Sequence, residues 1–298
     1  SCSNTCQLAV CGDGIVNGSD VCDDGNQIDG DGCTRQCKPF TTDIGKCQVA
    51  LGAAAKKYFA GRSGALQSCR NALNKSKPRY FDKTKMMPLT DPSQCVNEYG
   101  TATKLANLLK SVRNSIAKKC TNATLAALSA CSQQLDGIVN PAATTGCLPS
   151  LQTTVIDTLI DDEYGRALTS MDTADNTCQA TIASAGRAYV KKRLTALRGC
   201  RDKLNKLKPL FMDKMKSMPI TDPAQCPSEY NTATKLASAA AALRNAVANP
   251  KKCTDALVAD LASTCANSID GLVNATATAG CLLTDGVAAA DGLIGTAY

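Results

Sequence analysis

The chain has 298 residues, 18 cysteines, no histidine and no tryptophan; aromatic side chains make up only 4%, and the formal charge is +7. That length suits two or three domains. The lack of histidine excludes Ser-His and Cys-His nucleophile systems and imidazole metal centres, and no run approaches the ~20 apolar residues of a membrane span. The even number of cysteines, mostly outside C-x-x-C pairs, reads as a disulfide framework, which places the protein outside the cell or at its surface. Ser1 suits a mature end left by signal-peptide removal.

Residues 1–42 read as a small cysteine-rich acidic module. They hold six Asp, no Glu and only Arg35 and Lys38, a net −4, against +11 for the rest of the chain. Over 11–37 the text is CGDGIVNGSDVCDDGNQIDGDGCTRQC, and its C-G-D-G, C-D-D-G-N and G-D-G-C-x-x-x-C elements resemble the Myxococcus-type cysteine-rich repeat. The resemblance covers only this stretch. It implies an extracellular, disulfide-bonded module with no known catalytic activity. Cys2-Ser-Asn-Thr-Cys6 mirrors the C-x-x-x-C of Cys33 and Cys37, like the tail of a preceding unit, so Cys2 and Cys6 are expected to bond to the module formed by Cys11, Cys22, Cys33 and Cys37.

Between Cys22 and Cys33 the loop CDDGNQIDGDGC sets acids and glycines at short spacing. Calcium takes six to eight oxygens, and glycines let a chain wrap around it. Asp24, Asn26, Asp29 and Asp31, with Asp13 and Asp20 across the module, are the candidate calcium ligands. GDGIVNGSD also resembles the second half of a dockerin-type calcium loop, where Asp13, Asn17 and Asp20 would contribute. No Glu closes a twelve-residue loop, so the EF-hand template is not met. The alternative is that Asp and Asn close Asx turns and Gly supplies positive φ with no ion. Neither zinc nor haem is expected, given no histidine and paired cysteines.

Beyond residue 42 the cysteines fall at Cys47, Cys69, Cys95, Cys120, Cys131 and Cys147, then at Cys178, Cys200, Cys226, Cys253, Cys265 and Cys281. The gaps are 22, 26, 25, 11, 16 and then 22, 26, 27, 12, 16. FDKTKMMPLTDPSQC returns as MDKMKSMPITDPAQC, and EYGTATKLA as EYNTATKLA. The body is therefore a tandem duplication, with repeats assigned to 43–170 and 171–298.

Each copy reads as helical, rich in Ala, Leu, Lys and Arg without period-two alternation. Val49, Ala53, Tyr58, Leu66 and Leu73 mark a long first helix; Leu105, Leu108, Leu109, Val112 and Ile116 mark a second. Asp91, Pro92 and Gln94, repeated as Asp222, Pro223 and Gln225, form a capping-box pattern. Thr121 caps a third helix expected to run through Leu125, Leu128 and Leu135, with Thr254 its counterpart. A fourth starts near Pro149 and continues through Val155, Ile156, Leu159, Ile160 and Tyr164. No proline stands between Pro149 and Pro209. A near-continuous helix over 151–206, ~80 Å long at ~1.5 Å per residue, is expected to join the copies, bending at Gly165 and Gly186. The expected fold is mainly α: two tandem disulfide-bonded helical bundles joined by a long helix, an elongated pair behind a loop-dominated head. Up-and-down helix order pairs Cys47 with Cys120, Cys69 with Cys95 and Cys131 with Cys147, repeated as Cys178–Cys253, Cys200–Cys226 and Cys265–Cys281.

Chemistry is sparse. Asp161, Asp162 and Glu163 fan apart on a helix, and Glu98 and Glu229 suit helix starts, so no enzyme is expected. The basic runs KSKPRYFDKTK and KLKPLFMDKMK interleave Tyr80, Phe81 and Phe211, which suits an acidic polysaccharide or surface ligand; solvated helix faces explain most of this charge, and specific nucleic-acid binding is not expected. The first expectation is a secreted structural protein that self-associates head to tail into a filament, appendage or surface layer. The second is a secreted adhesin or ligand-binding protein that uses the basic bundles. N-x-S/T acceptors stand at Asn17, Asn74, Asn122 and Asn274.

Overall fold

The computed structural model describes residues 10–16, 18, 20–23, 25, 33, 34, 36–38, 42–128, 134–139, 148–164, 168, 172–206, 208–220, 222–261, 268, 269 and 281–295. Among them the protein is mainly helical, with isolated β bridges that include Tyr80 to Pro88 and Phe211 to Pro219. Copy one contributes α1 (Thr42–Asn74), α2 (Tyr99–Ala117), α3 (Asn122–Ala127), α4 (Leu135–Ile138) and α5 (Leu148–Tyr164). Copy two contributes α6 (Thr173–Leu204), α7 (Tyr230–Val247), α8 (Asp255–Leu261) and α9 (Cys281–Gly295). Short 3₁₀ turns, Pro92–Asn97 and Pro223–Ser228, precede α2 and α7. Both carry the capping box read from sequence: the Asp91 and Asp222 carboxylates accept from the second residue after each, and Gln94 and Gln225 reach back to the cap amide.

The expected long helix over 151–206 is not formed. α5 ends at Tyr164, Leu168 and Asp172 are non-helical, and α6 starts at Thr173. Asp172 takes the N-cap position of α6, and the expected bend at Gly165 lies outside the described residues. Gly186, the other expected bend, lies buried inside an uninterrupted α6. The third helix is also shorter than expected. It stops at Ala127, and Leu135 opens the separate α4.

Because the chain turns between the copies, α6 runs back along α1. Gln48 near the start of α1 meets Asn205 just past the end of α6; Gln67 donates to the Ala183 carbonyl at 2.7 Å; Asn74 at the end of α1 meets Asn176 and Gln179. α5 lies parallel to α1, with Tyr58 beside Thr153 at 3.0 Å and Tyr164 bonded to Asn71 at 2.9 Å. α9 lies parallel to α6 and packs on α5. The two copies are thus related by an approximate two-fold and share one buried cluster, running from Ile44 and Phe59 through Ile156 and Ile160 to Leu194, Leu293 and Ile294. The expected elongated pair gives way to a joint core. The physical reason is that α1 and α6 are each packed on several sides. Their apolar residues extend around the helix and cannot be covered by one copy alone.

Small residues let these helices approach closely, which compensates for the scarcity of aromatics. A Cβ on Gly286 would lie 2.8 Å from Tyr189 and 3.3 Å from Val190, so this glycine sets the α9–α6 spacing. Ala54, Ala55, Ala183 and Ala290 are all at most 1% exposed.

Four of the disulfides join the cysteines paired by the spacing argument: Cys47–Cys120, Cys69–Cys95, Cys178–Cys253 and Cys200–Cys226. Each copy is stapled at both ends of its antiparallel helix pair. The expected bonds Cys131–Cys147 and Cys265–Cys281 fall on side chains outside the described residues. The Asn74 acceptor is 4% exposed and engaged with Gln179, so the fold shuts it off.

Candidate functional site

The head is organised by an aspartate that the calcium argument did not select. The Asp23 carboxylate accepts backbone amides from Gly12 (2.8 Å), Gly14 (2.9 Å) and Gly25 (2.8 Å), which holds its pKa below the usual carboxylate range, the Gly25 bond contributing most. Gly12, Gly14 and Gly25 have φ of 93°, 81° and 82°, a region that glycine enters without strain. The clue was present in the Asp-Gly pair at 24–25, one residue beyond. Asp23 also lies within ligand distance of the sulfurs of Cys11 and Cys37, but those two are bonded to each other, as are Cys22 and Cys33. All four module cysteines are therefore used internally, which corrects the expected bonds to Cys2 and Cys6; those two lie outside the described residues.

Of the candidate calcium ligands, Asp24, Asn26, Asp29 and Asp31 lie outside the described residues. Asp13 accepts the Ile15 amide at 2.9 Å, an Asx turn. Asp20 has one carboxylate oxygen buried with no hydrogen-bond partner, the kind of group a cation would satisfy.

The second feature is duplicated. After α1 the chain makes a hairpin in which Phe81 donates to Met87 O (2.8 Å) and Leu89 to Arg79 O (2.7 Å); after α6, Met212 donates to Met218 O and Ile220 to Leu210 O, both at 2.8 Å. An aspartate ties each tip. Asp82 accepts the Thr84 hydroxyl (2.5 Å) and the Met86 amide (3.2 Å), while Asp213 accepts the Ser217 amide (3.1 Å) and the Met218 amide (2.7 Å). Lys85 and Lys216 then sit at φ 60° and 61°, positions where a lysine is uncommon. The base of each loop is pinned to the next helix by Tyr99 N–H to Tyr80 O (2.9 Å) and Tyr230 N–H to Phe211 O (3.0 Å).

These tips present methionine to solvent: Met86 is 79% exposed and Met215 93%. The other exposed large apolar side chains among the described residues are Met87, Tyr99, Met218 and Tyr230 on or beside the loops, and Val10, Ile15, Val16 and Val21 on the head. Lys83, Lys85, Lys214 and Lys216 surround the loop methionines and are exposed as well. One partner-type surface is thus basic and apolar, the other acidic and apolar. The basic runs drew attention to their lysines and aromatics and not to the methionines, although five of the chain's six fall in or just after those runs.

Hydrogen bonds hold the Asp82 and Asp213 carboxyls below their ordinary value of 3.8, led by the Thr84 hydroxyl at Asp82 and the Ser217 amide at Asp213. A lowered folded pKa contributes stability that is complete above the unfolded value and is lost as pH falls through the folded one. Amide protection at Met86 and Met218 should therefore hold from neutral pH to about pH 4 and fall below it. Hydrogen-exchange NMR measures this, and protection lost well above pH 4 would contradict the carboxylate ties.

The carboxylates weighed as candidates for chemistry have structural roles where they are described. Glu98 and Glu229 cap α2 and α7 by accepting the Thr101 (2.5 Å) and Thr232 (2.6 Å) amides, and Asp161 engages Arg70. The Asp162 and Glu163 side chains lie outside the described residues. No helix among the described residues is long and apolar enough to cross a membrane.

Residues 1–38 match the model of a family described as Domain of unknown function (DUF4215). The match ends before α1 and leaves the duplicated body uncovered. No characterised protein and no solved structure matches the chain.

Proposed function

We propose that this chain is a secreted, non-enzymatic structural protein that self-associates head to tail into an extracellular filament, appendage or surface layer. One observation carries the reading: the exposed large apolar side chains among the described residues lie on an acidic head and on basic loops. Apolar exposure of this kind marks interaction surfaces, and the opposite charges would steer the two together. Cross-links at both ends of each helix pair give a subunit suited to bearing load in an oxidising setting. The head's glycine and cysteine placement supports its finer reading as a Myxococcus-type repeat.

Calcium in the head is part of the proposal, supported by the unpartnered Asp20 oxygen and the acidity of the neighbouring loop. The ion would neutralise repulsion among the carboxylates and fix the head's shape. Sedimentation velocity of the full chain over a concentration series, with calcium and with chelator, tests both parts. Association that grows with concentration and weakens on chelation is expected. Association unaffected by chelator returns the acid loop to ion-free Asx turns. Monomers throughout would reject assembly and favour the adhesin reading, in which two equivalent lysine–methionine loops grip an acidic polysaccharide or surface ligand.

A further inference from the structure

The two loops are alike in chemistry but not in position. α1 has 33 residues, so its ends are about 50 Å apart. The head joins one end: Lys38 and Thr42 are four residues apart, a span of at most ~15 Å. The loop of 75–91 follows Asn74 at the opposite end. The loop of 206–222 follows α6, whose last turn lies against Gln48, so it shares the head's end. One loop is far from its own head and one is near.

A hollow separates the two further. Leu73, Leu89 and Leu168, with the polar Asn74, Ser76 and Thr90, line a cavity of about 270 Å³ at the base of the far loop, and Lys77 edges it. Leu168 comes from the turn between the copies, a segment that copy two does not repeat among the described residues. The far loop therefore offers a lysine-edged recess of mixed polar and apolar lining that the duplication alone does not supply. Its volume suits one or two branched aliphatic side chains.

We infer that the far loop is the seat of a second copy's head, with Lys83 and Lys85 facing its acids and the recess taking the exposed side chain of its Val16 or Val21. This rests on the self-association reading above and specifies its contact. The charges match in sign, and both faces expose aliphatic or thioether carbon beside the charge. The position matters for growth. A head docked on the far end of the next subunit leaves that subunit's head free for another, which is a heterologous contact able to propagate. Mutual docking of two heads on near loops would close a two-fold dimer and stop.

The test uses the full chain with two charge reversals, Lys83→Glu/Lys85→Glu and Lys214→Glu/Lys216→Glu. All four lysines are exposed, so folding is not at stake; thermal melts monitored by circular dichroism check it. The far-loop variant should self-associate about tenfold or more weakly, and the near-loop variant within about twofold of the parent. Zero-length carbodiimide cross-linking of a mixture of isotope-labelled and unlabelled chains should give intermolecular links from Lys83 or Lys85 to Asp13 or Asp20. If the near-loop variant loses association while the far-loop variant keeps it, or if head links between chains fall only on Lys214 and Lys216, the assignment is overturned and self-association stands. If the parent chain never associates, the reading beneath it falls.

Discussion

Replacing both Cys47 and Cys120 with alanine should lower the unfolding free energy by about 4 kcal/mol, and so should the equivalent change at Cys178 and Cys253. These bonds span 73 and 75 residues. In the chain-entropy model a closed loop of that length restricts the unfolded ensemble by about 4 kcal/mol. The 26-residue spans of Cys69–Cys95 and Cys200–Cys226 come out nearer 3.5 kcal/mol by the same relation. Location adds to length. Cys47 is fully buried where the start of α1 meets the end of α2, so its bond also fixes which ends of the two helices lie together. Guanidinium unfolding of single-pair variants measures the losses. A Cys47/Cys120 loss below about 1 kcal/mol would mean that helix packing already holds these ends and the bond adds little.

The second large effect concerns a repeated ion pair. Arg62 on α1 grips Asp157 on α5 with two bonds, 2.8 and 2.5 Å, and Arg193 on α6 grips Asp291 on α9 at 2.9 and 2.8 Å. The arginine side chains are 7% and 9% exposed, the aspartates 37% and 43%. Asp157→Ala would strand a nearly buried guanidinium and should cost about 3 kcal/mol, the low end of the range for such losses because water still reaches one side of the pair. Arg62→Met/Asp157→Leu, which removes both charges and fills the space, should return most of that stability. A double-mutant cycle in denaturant decides it. If the double variant is as unstable as Asp157→Ala, the loss comes from packing and the charge pairing is not its source. Gly286→Leu on the same face should also destabilise, since its side chain has no room beside Tyr189.

Much of this architecture was readable because it is written twice. The cysteine spacing gave the helix pairs and their staples, and T-D-P-x-Q-C gave the capping boxes, since a cap is a local event that needs only its own few residues. The Arg–Asp pairs were readable in principle. Arg62 recurs as Arg193 and Asp157 as Asp291, shifted by the same insertions that displace the cysteines. They were missed because the partners are over ninety residues apart, and proximity at that distance is set by tertiary packing.

The joining segment failed for a different reason. Helical spacing continues from Leu159 through Ile182, and no proline breaks it, so periodicity alone reads one helix. The helix stops at Tyr164 and restarts at Thr173 because that lets α1, α5, α6 and α9 cover one another's apolar faces, a gain invisible to any local window. In the head, glycine and aspartate spacing announced tight turns, but which carboxylate would tie them depended on three amides from two separate segments. For the loops, the methionines stood in plain view. An apolar residue in a helical protein is read as core by default, and only the folded chain shows that Met86, Met87, Met215 and Met218 point outward while Met212 packs on the core.

Negative-stain imaging of the intact, oxidised chain in calcium, at a concentration where sedimentation is no longer that of a monomer, tests the central claim most directly. Regular polymers or lattices with a single repeat distance are the predicted result. A field of uniform single particles, or aggregates without a repeat, would contradict it.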